Sequence, residues 1–339
     1  RIHIDHGIIG SSDMDEAGSF MARIQSSIVV PIMYRMVHTG KLPKFMKKKI
    51  KSGVCLLLVM AGLPCLIVAL ILGIKECPPV RNETDFEDYI AVLTAMQIDW
   101  EAPKESIKAQ TVIARGNFYL QWEKGEEKQK VEEAAKYLKE KRRIPFFLER
   151  FHVFLESAEE TRGEVLALNH EVKQIPFYAV GTERSRDGTE LLGENFAYLI
   201  SVDTIQDKKS PSYVNGCYFE LKEFRKLIKK EYAGFEIKDA GEIEIKETDR
   251  LGYVLELQAG NQEFQGEEMR ELLKLPSSCF IVQTDKEMIR FLCRGVGHGL
   301  GLSQYTAGKM AEENKQYQEI LNYFFPGLEL IEAEMQKNE

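Results

Sequence analysis

Cysteine is scarce in this chain of 339 residues, and its placement excludes several classes of protein. Of six cysteines, Cys55, Cys65 and Cys77 fall in or beside an apolar run, leaving Cys217, Cys279 and Cys293 for everything after it. Three thiols without a CxxC spacing signal neither a disulfide framework nor a zinc ribbon. A basic excess is also missing. The net charge of −8 argues against a dedicated nucleic-acid binder, and runs such as Lys139–Arg143 are balanced by neighbouring glutamates. His170-Glu171 has no second histidine at the HExxH position, and there is no GxSxG nucleophile elbow. Cys293 and His298 are close in sequence, but papain-like pairs are assembled by the fold, so their adjacency carries no weight. No internal repeat or low-complexity linker is present.

Charge is absent from residues 53–74, an apolar run longer than the roughly 20 residues a membrane-spanning helix needs. Pro64 within it is compatible with a kinked span. Lys41, Lys44, Lys47, Lys48, Lys49 and Lys51 precede the run, whereas Glu76, Glu83, Asp85, Glu87 and Asp88 follow it. That asymmetry predicts a single-pass protein of the cell membrane, with residues 1–52 cytoplasmic and the C-terminal part extracytoplasmic. A cleaved signal peptide competes with this assignment. The apolar core is long for one and lacks a clear small-x-small exit, which favours an uncleaved signal-anchor. Residues 1–45 show no sustained periodicity, and Met46 stands directly before the span's lysine cluster. These features lead to the expectation that residues 1–45 are a fragmentary or spurious extension.

Residues 75–339 suffice for one large domain or two small ones. Tyr89, Val92, Leu93 and Met96 form the apolar stripe of a helix at about 85–97, opened by the capping-box pattern Thr84-Asp85-Phe86-Glu87. After the turn at 98–102, Pro103 suits the first turn of a second helix, about 103–122, with Ala109, Val112, Ile113 and Leu120 inward. A third helix, about 126–142, carries Val131, Ala134, Ala135 and Leu138 inward, and Pro145 breaks the pattern. From about residue 163 short β-type runs take over, at 164–168, 173–179, 197–203, 213–220, 251–258, 278–284 and 288–293. Short helices are expected at 221–231, 266–274, 302–314 and 317–324. Helices first and mixed strands later predict an α+β fold behind an N-terminal transmembrane helix. The sequence leaves open whether 78–160 is a domain of its own.

Two segments concentrate the candidate chemistry. Arg294–Tyr305 alternates four glycines, directly after a strand and before a helix, and glycine admits positive φ and close ligand approach. The spacing is neither GxGxxG nor GxxxxGK[ST], so no nucleotide loop is indicated. His298 in its midst offers an acid, a base or a hydrogen bond to sugar; a tight turn with a purely structural histidine fits equally well. The second segment is the turn between the first two helices. Phe86, Ile90, Leu93 and Gln97 share a face, which places Gln97 half-buried at the helix end. Lys108, Thr111 and Arg115 form a stripe on the second helix. Its two cations suit a carboxylate-bearing ligand, or are ordinary solvated charges.

Together these segments resemble the stage II sporulation protein D (SpoIID) family, whose domain is also found in LytB-type amidase modifiers. The family's signature [SG]RGxGHGxGxSQYGA is similar to Cys293–Ala307, apart from Cys293 and Thr306. Glu105–Arg115 resembles the EALKAQAVAAR stretch of its helix pair, Ala197–Asp203 its YLxSVD segment, and Tyr323–Gly327 its closing YYPG. The likeness spans about residues 84–330 in constant order, and a single N-terminal anchor fits it.

The resemblance implies a SpoIID-like domain over 78–335 and a peptidoglycan-remodelling protein of sporulation, acting during engulfment. Family members are lytic transglycosylases that cut glycan strands stripped of stem peptides. One carboxyl group protonates the leaving oxygen and then takes the proton of the sugar's own C6 hydroxyl, which attacks in place of water. The implied partners are glycan strands, an amidase and a membrane protein of the engulfment complex. The implied sugar-binding positions are Lys108, Arg115, His298, Ser303, Gln304 and Tyr305. The family's catalytic glutamate, however, aligns with Gln97, and an amide cannot deliver a proton as a carboxylic acid does. Several readings follow. Glu101, or Asp99, serves as a displaced acid; the protein binds glycan, or activates an amidase, without cutting; or the sequence is a variant form. A membrane-tethered structural subunit, with the glycine loop as a packing device, is a further possibility. The His-x5-Cys-x4-His-Cys metal segment of some members has no counterpart, so no metal and no cofactor are expected.

Overall fold

Residues 86–141 and 147–333 are described by a computed structural model. Four helices open it: α1 (Phe86–Gln97), α2 (Lys104–Glu123), α3 (Lys128–Lys141) and α4 (Phe147–Glu160). The first three match the ranges expected from apolar periodicity to within two residues. α4 is unexpected. Phe147, Phe151 and Phe154 recur on one of its faces and close a core with Ile90, Leu93, Ile107 and Phe118. The Trp100 ring sits among them, 5.6 Å from Phe147, 6.2 Å from Phe151 and 5.5 Å from Phe154. Its Nε1 donates to the Ala95 carbonyl at 2.9 Å and to Tyr137 Oη at 2.8 Å, which pins the α1–α2 turn to the helical core.

Strands dominate thereafter. β1 (Glu164–Leu168) lies between β2 (Glu171–Val172) and the last strand, β11 (Glu329–Glu332), in antiparallel pairing. β3 (Phe177–Tyr178) and β10 (Leu302–Ser303) form a two-residue parallel ladder. The short helix α5 (Gly188–Leu192) follows β3. An antiparallel sheet has β9 (Met288–Arg294) between β4 (Val214–Glu220) and β8 (Phe280–Asp285). Another joins β5 (Ile243–Thr248), β6 (Val254–Ala259) and β7 (Gln262–Gln265). Helices α6 (Leu221–Ile228) and α7 (Gly266–Leu273) contribute Leu221, Phe224, Ile228, Met269 and Leu273 to one core with Phe280 and Phe291 of the strands. The chain closes through α8 (Gln304–Glu312) and α9 (Tyr317–Phe324).

The α+β reading, helices first, therefore holds for the described residues. α2 contributes to two cores at once: Ile107 and Phe118 face the helical cluster, while Val112 and Ile113 pack with Leu166, Leu302 and Phe324. Helices and strands accordingly belong to one unit, Arg81–Glu339. The strand expected at 197–203 is a loop instead. Leu199 and Val202 are buried, but the backbone bonds across to residues 183–188, with Ser185 N donating to the Val202 carbonyl at 2.9 Å. The run 173–179 shrinks to β3, because Pro176 has no N–H to contribute to a ladder. The apolar run 53–74 and Thr84 of the capping box lie outside the described residues. Among those described, no helix is long and apolar enough to cross a membrane.

Candidate functional site: a cleft at the first helical turn

Ile98 is buried and Trp100 turns into the core, which leaves Asp99 and Glu101 facing out of the turn between α1 and α2. There they line a cleft of about 460 Å3, together with Pro103, Gln304, Tyr305 and Lys309, against a wall formed by Ala179, Val180 and Ser210. Gln304, which lines the cleft, joins two further glutamines behind it that do not line it, Gln97 and Gln110. Gln110 Nε2 donates to Gln97 Oε1 at 2.9 Å, and Gln304 Nε2 donates to the Gln97 backbone carbonyl at 2.7 Å and to Gln110 Oε1 at 3.1 Å. Gln97 is half-buried, as its place on the α1 stripe requires, and Gln110 is wholly buried. The position that corresponds to the family's acid thus presents an amide whose oxygen is already hydrogen-bonded.

The opposite wall is held by a carboxylate that sequence reasoning did not single out. Asp207 is buried and accepts hydrogen bonds from the Gly181 N–H, from Ser303 Oγ at 2.8 Å and from Thr306 Oγ1 at 2.6 Å. Burial pushes its carboxyl above the usual range, against the pull of those donors. Ser303 also caps α8 by accepting from the Thr306 N–H at 3.1 Å. Thr306, where the family signature has glycine, gains a part in this network through its hydroxyl. Tyr305 N bonds to the Ala179 carbonyl at 3.1 Å, which joins the start of α8 to the same wall.

The residues expected to bind sugar divide into groups. Gln304 and Tyr305 face the cleft, with Lys309 Nζ lying 5.5 Å from the centroid of the Tyr305 ring. Glu101 lines the cleft as well, 79% exposed, with Arg150 at 3.9 Å. Ser303 is fully buried and engaged with Asp207 and Thr306, so it shapes the wall rather than touching a ligand. Arg115 requires a correction. Only 1% exposed, it pairs with Glu87 at 2.6 Å and donates to the carbonyls of Ala158 and Glu164, a structural role that removes it from the ligand-binding set. Lys108 pairs with Glu105 at 2.6 Å and Glu160 at 2.8 Å, and it does not line the cleft. The cation stripe on α2 is therefore neutralised by the protein's own carboxylates.

His298 lies elsewhere. Val296 lines the cleft, but His298, two residues on, lines a second pocket with Arg186, Glu267 and Arg270, and no residue lines both. Burial holds its imidazole below the usual histidine value, although Glu267 pulls the other way. The Leu300 N–H donates to its Nδ1 at 3.1 Å. Among the described residues no group of three His, Cys, Asp or Glu side chains is placed to hold a metal ion.

Asp99 and Glu101, which the family resemblance offers as displaced acids, both line the cleft, whereas the sequence does not single out Gln110. Gln97 is the last residue of α1 and Gln110 lies six residues past the start of α2, so no simple spacing about the turn pairs them. No sequence signal marks Asp207 either; a short 3-10 helix, Ile205–Lys209, brings it in.

An α+β domain with a buried glutamine cluster and a four-glycine loop, each carrying one family motif, defines the class of protein. A family model described as SpoIID, Stage II sporulation protein, matches residues 79–168. Stage II sporulation protein D of Bacillus subtilis (strain 168) is 27% identical over 180 residues, covering 53% of this chain and 51% of that protein. Its counterpart in Bacillus amyloliquefaciens is 26% identical over 183 residues, covering 51% and 49%. An uncharacterized protein of Brachyspira hyodysenteriae is 23% identical over 266 residues, covering 75% and 68%. The family match over residues 79–168 and the two Bacillus relatives of that name together support membership of the SpoIID family. It spans about half the length of the two Bacillus relatives it matches.

Proposed function

We propose that this protein binds peptidoglycan glycan strands during sporulation, holding stripped strands in the cleft beside the α1–α2 turn without cleaving them at position 97. The observation that carries this reading is the glutamine trio. Gln97 stands where a transglycosylase of this family needs a carboxylic acid, and its amide oxygen is fixed by Gln110. Gln304 and Tyr305 offer an amide and an aromatic ring on the same cleft, a combination suited to a neutral, hydroxyl-rich chain. A protein of this kind would hold the wall, or recruit and stimulate an amidase and a membrane protein of the engulfment complex. The charge-free run at 53–74 and the lysines before it support an anchor that leaves the domain outside the cytoplasm.

A second reading is favoured by one observation: Asp99 and Glu101 line the same cleft, so a displaced acid is available there. Glycan binding is tested by co-sedimentation with sacculi whose stem peptides an amidase has removed. The expected result is saturable binding that Tyr305→Ala weakens about tenfold, a loss of about 1.4 kcal/mol. Absence of binding by the unaltered chain would leave only a structural role for the cleft.

A further inference from the structure

The pocket at His298 is built differently from the cleft. It encloses about 430 Å3 on the far side of the glycine loop. Leu191, Leu192, Val254 and Leu300 give it an apolar wall, and two arginines, Arg186 and Arg270, face two glutamates, Glu267 and Glu271, so its formal charges cancel. Leu192 at its rim is 49% exposed, although α5 otherwise packs Leu191 against the core.

His298 is fixed in one tautomer. Its Nδ1 accepts from the Leu300 N–H, so the neutral ring carries its proton on Nε2. Among the described residues no protein group bonds to Nε2, and the side chain borders the pocket. In its neutral form the ring is therefore a single, oriented N–H donor, and burial favours that form. Arg186 locks the loop behind it. Its Nε donates to Asp249 at 2.8 Å, its Nη1 reaches the His298 carbonyl at 3.3 Å, and its guanidinium lies 4.6 Å from the centroid of the Tyr253 ring. Glu267 is held by Ser278 Oγ and by Arg270 Nε at 2.6 Å, which presents a carboxylate at the same pocket.

The oriented His298 donor, the Glu267 acceptor, an apolar wall and cancelling formal charges disfavour phosphate or a free carboxylate. They match a secondary amide bearing a short alkyl group: the carbonyl accepts from His298, the amide N–H donates to Glu267, and the alkyl group meets the leucines. We propose that this pocket is a second binding site, separate from the cleft, for a small N-acyl group. Such a group occurs both in the acetamido substituent of an amino sugar and in an alanyl peptide. The geometry stands alone; only the link to wall material as the source rests on the function proposed above.

Saturation-transfer NMR on the full chain in lipid nanodiscs tests it, with N-acetylglucosamine and N-acetyl-alanine methylamide as probes and glucose as the comparison. The acetyl methyl protons of at least one probe should receive the strongest saturation, and glucose should receive none. Which probe binds more tightly identifies sugar or peptide as the source. Leu192→Asp, at an exposed position, should weaken binding about tenfold while leaving the thermal midpoint unchanged, and Gln97→Ala should leave binding intact. A signal lost with Gln97→Ala would place the probe in the cleft and overturn the second site, as would equal saturation of glucose, an unchanged signal in Leu192→Asp, or no signal from either probe. Cleft binding to sacculi is read separately, so each proposal can fail without the other.

Discussion

Removing the Arg115 guanidinium would take away the 2.6 Å ion-pair partner of the buried Glu87 carboxylate, in a setting where both side chains are almost wholly shielded from water. Arg115→Met should therefore cost about 3–5 kcal/mol, read as a lower denaturation midpoint. Lys108→Met should cost less than about 1 kcal/mol, since its partner Glu160 is 44% exposed. If the two variants behaved alike, Arg115 would not be the structural residue assigned here. Asp207→Ala strands the Gly181 N–H and the hydroxyls of Ser303 and Thr306. Each stranded group costs about 1–3 kcal/mol when it stays dry, so this variant should be among the least stable in the cleft wall. At this scale periodicity placed Gln97 half-buried at the end of α1, because it fixes which side of a helix a residue faces, whereas Gln304 and Tyr305 were marked only by the family motif. It misjudged Arg115, because a stripe of polar residues looks alike whether water or a buried carboxylate receives it.

The glycine loop is the element on which both pockets depend. Gly301 has φ +84°, and a Cβ there would lie 2.0 Å from the Pro176 carbonyl oxygen; at Gly299, with φ +75°, it would lie 2.2 Å from Tyr253 Oη. Gly301→Ala should destabilise the fold, read in denaturant titration, by more than the roughly 1–2 kcal/mol that a left-handed backbone alone costs, because a main-chain oxygen cannot move aside. Gly327→Ala, where nothing lies within 4 Å of the added carbon, should be nearly silent. Equal effects would mean that close packing does not hold the loop. The alternating glycines were readable as a loop of positive φ, and β1, β4, β8 and β9 were readable from alternation and apolar runs. α4 was not, since its signal is three phenylalanines behind a proline rather than a longer stripe. β5 was also hidden: only Ile243 of its side chains is buried, and Glu244, Lys246 and Glu247 interrupt the apolar pattern.

On the scale of the whole molecule, α2 carries two cores on opposite faces, so the helical start and the strand-rich remainder should unfold in one transition. Acid adds a signature. Burial lowers the His298 pKa in the fold, so below the ordinary histidine value of about 6.5 the unfolded chain binds the extra proton first. Stability contributed by this residue is complete above that value and falls as the pH drops toward the folded one. His298→Gln should flatten this part of the profile in denaturant titrations between pH 5 and 8; a wild-type curve without the slope would contradict the assignment. The largest question is whether the cleft cuts what it holds. Incubation of the full chain with stripped glycan strands, followed by mass spectrometry for 1,6-anhydromuramoyl ends, answers it. No such ends are expected from the unaltered protein, and they should appear with Gln97→Glu. Anhydro ends formed by the unaltered protein, and lost in Glu101→Gln, would contradict it.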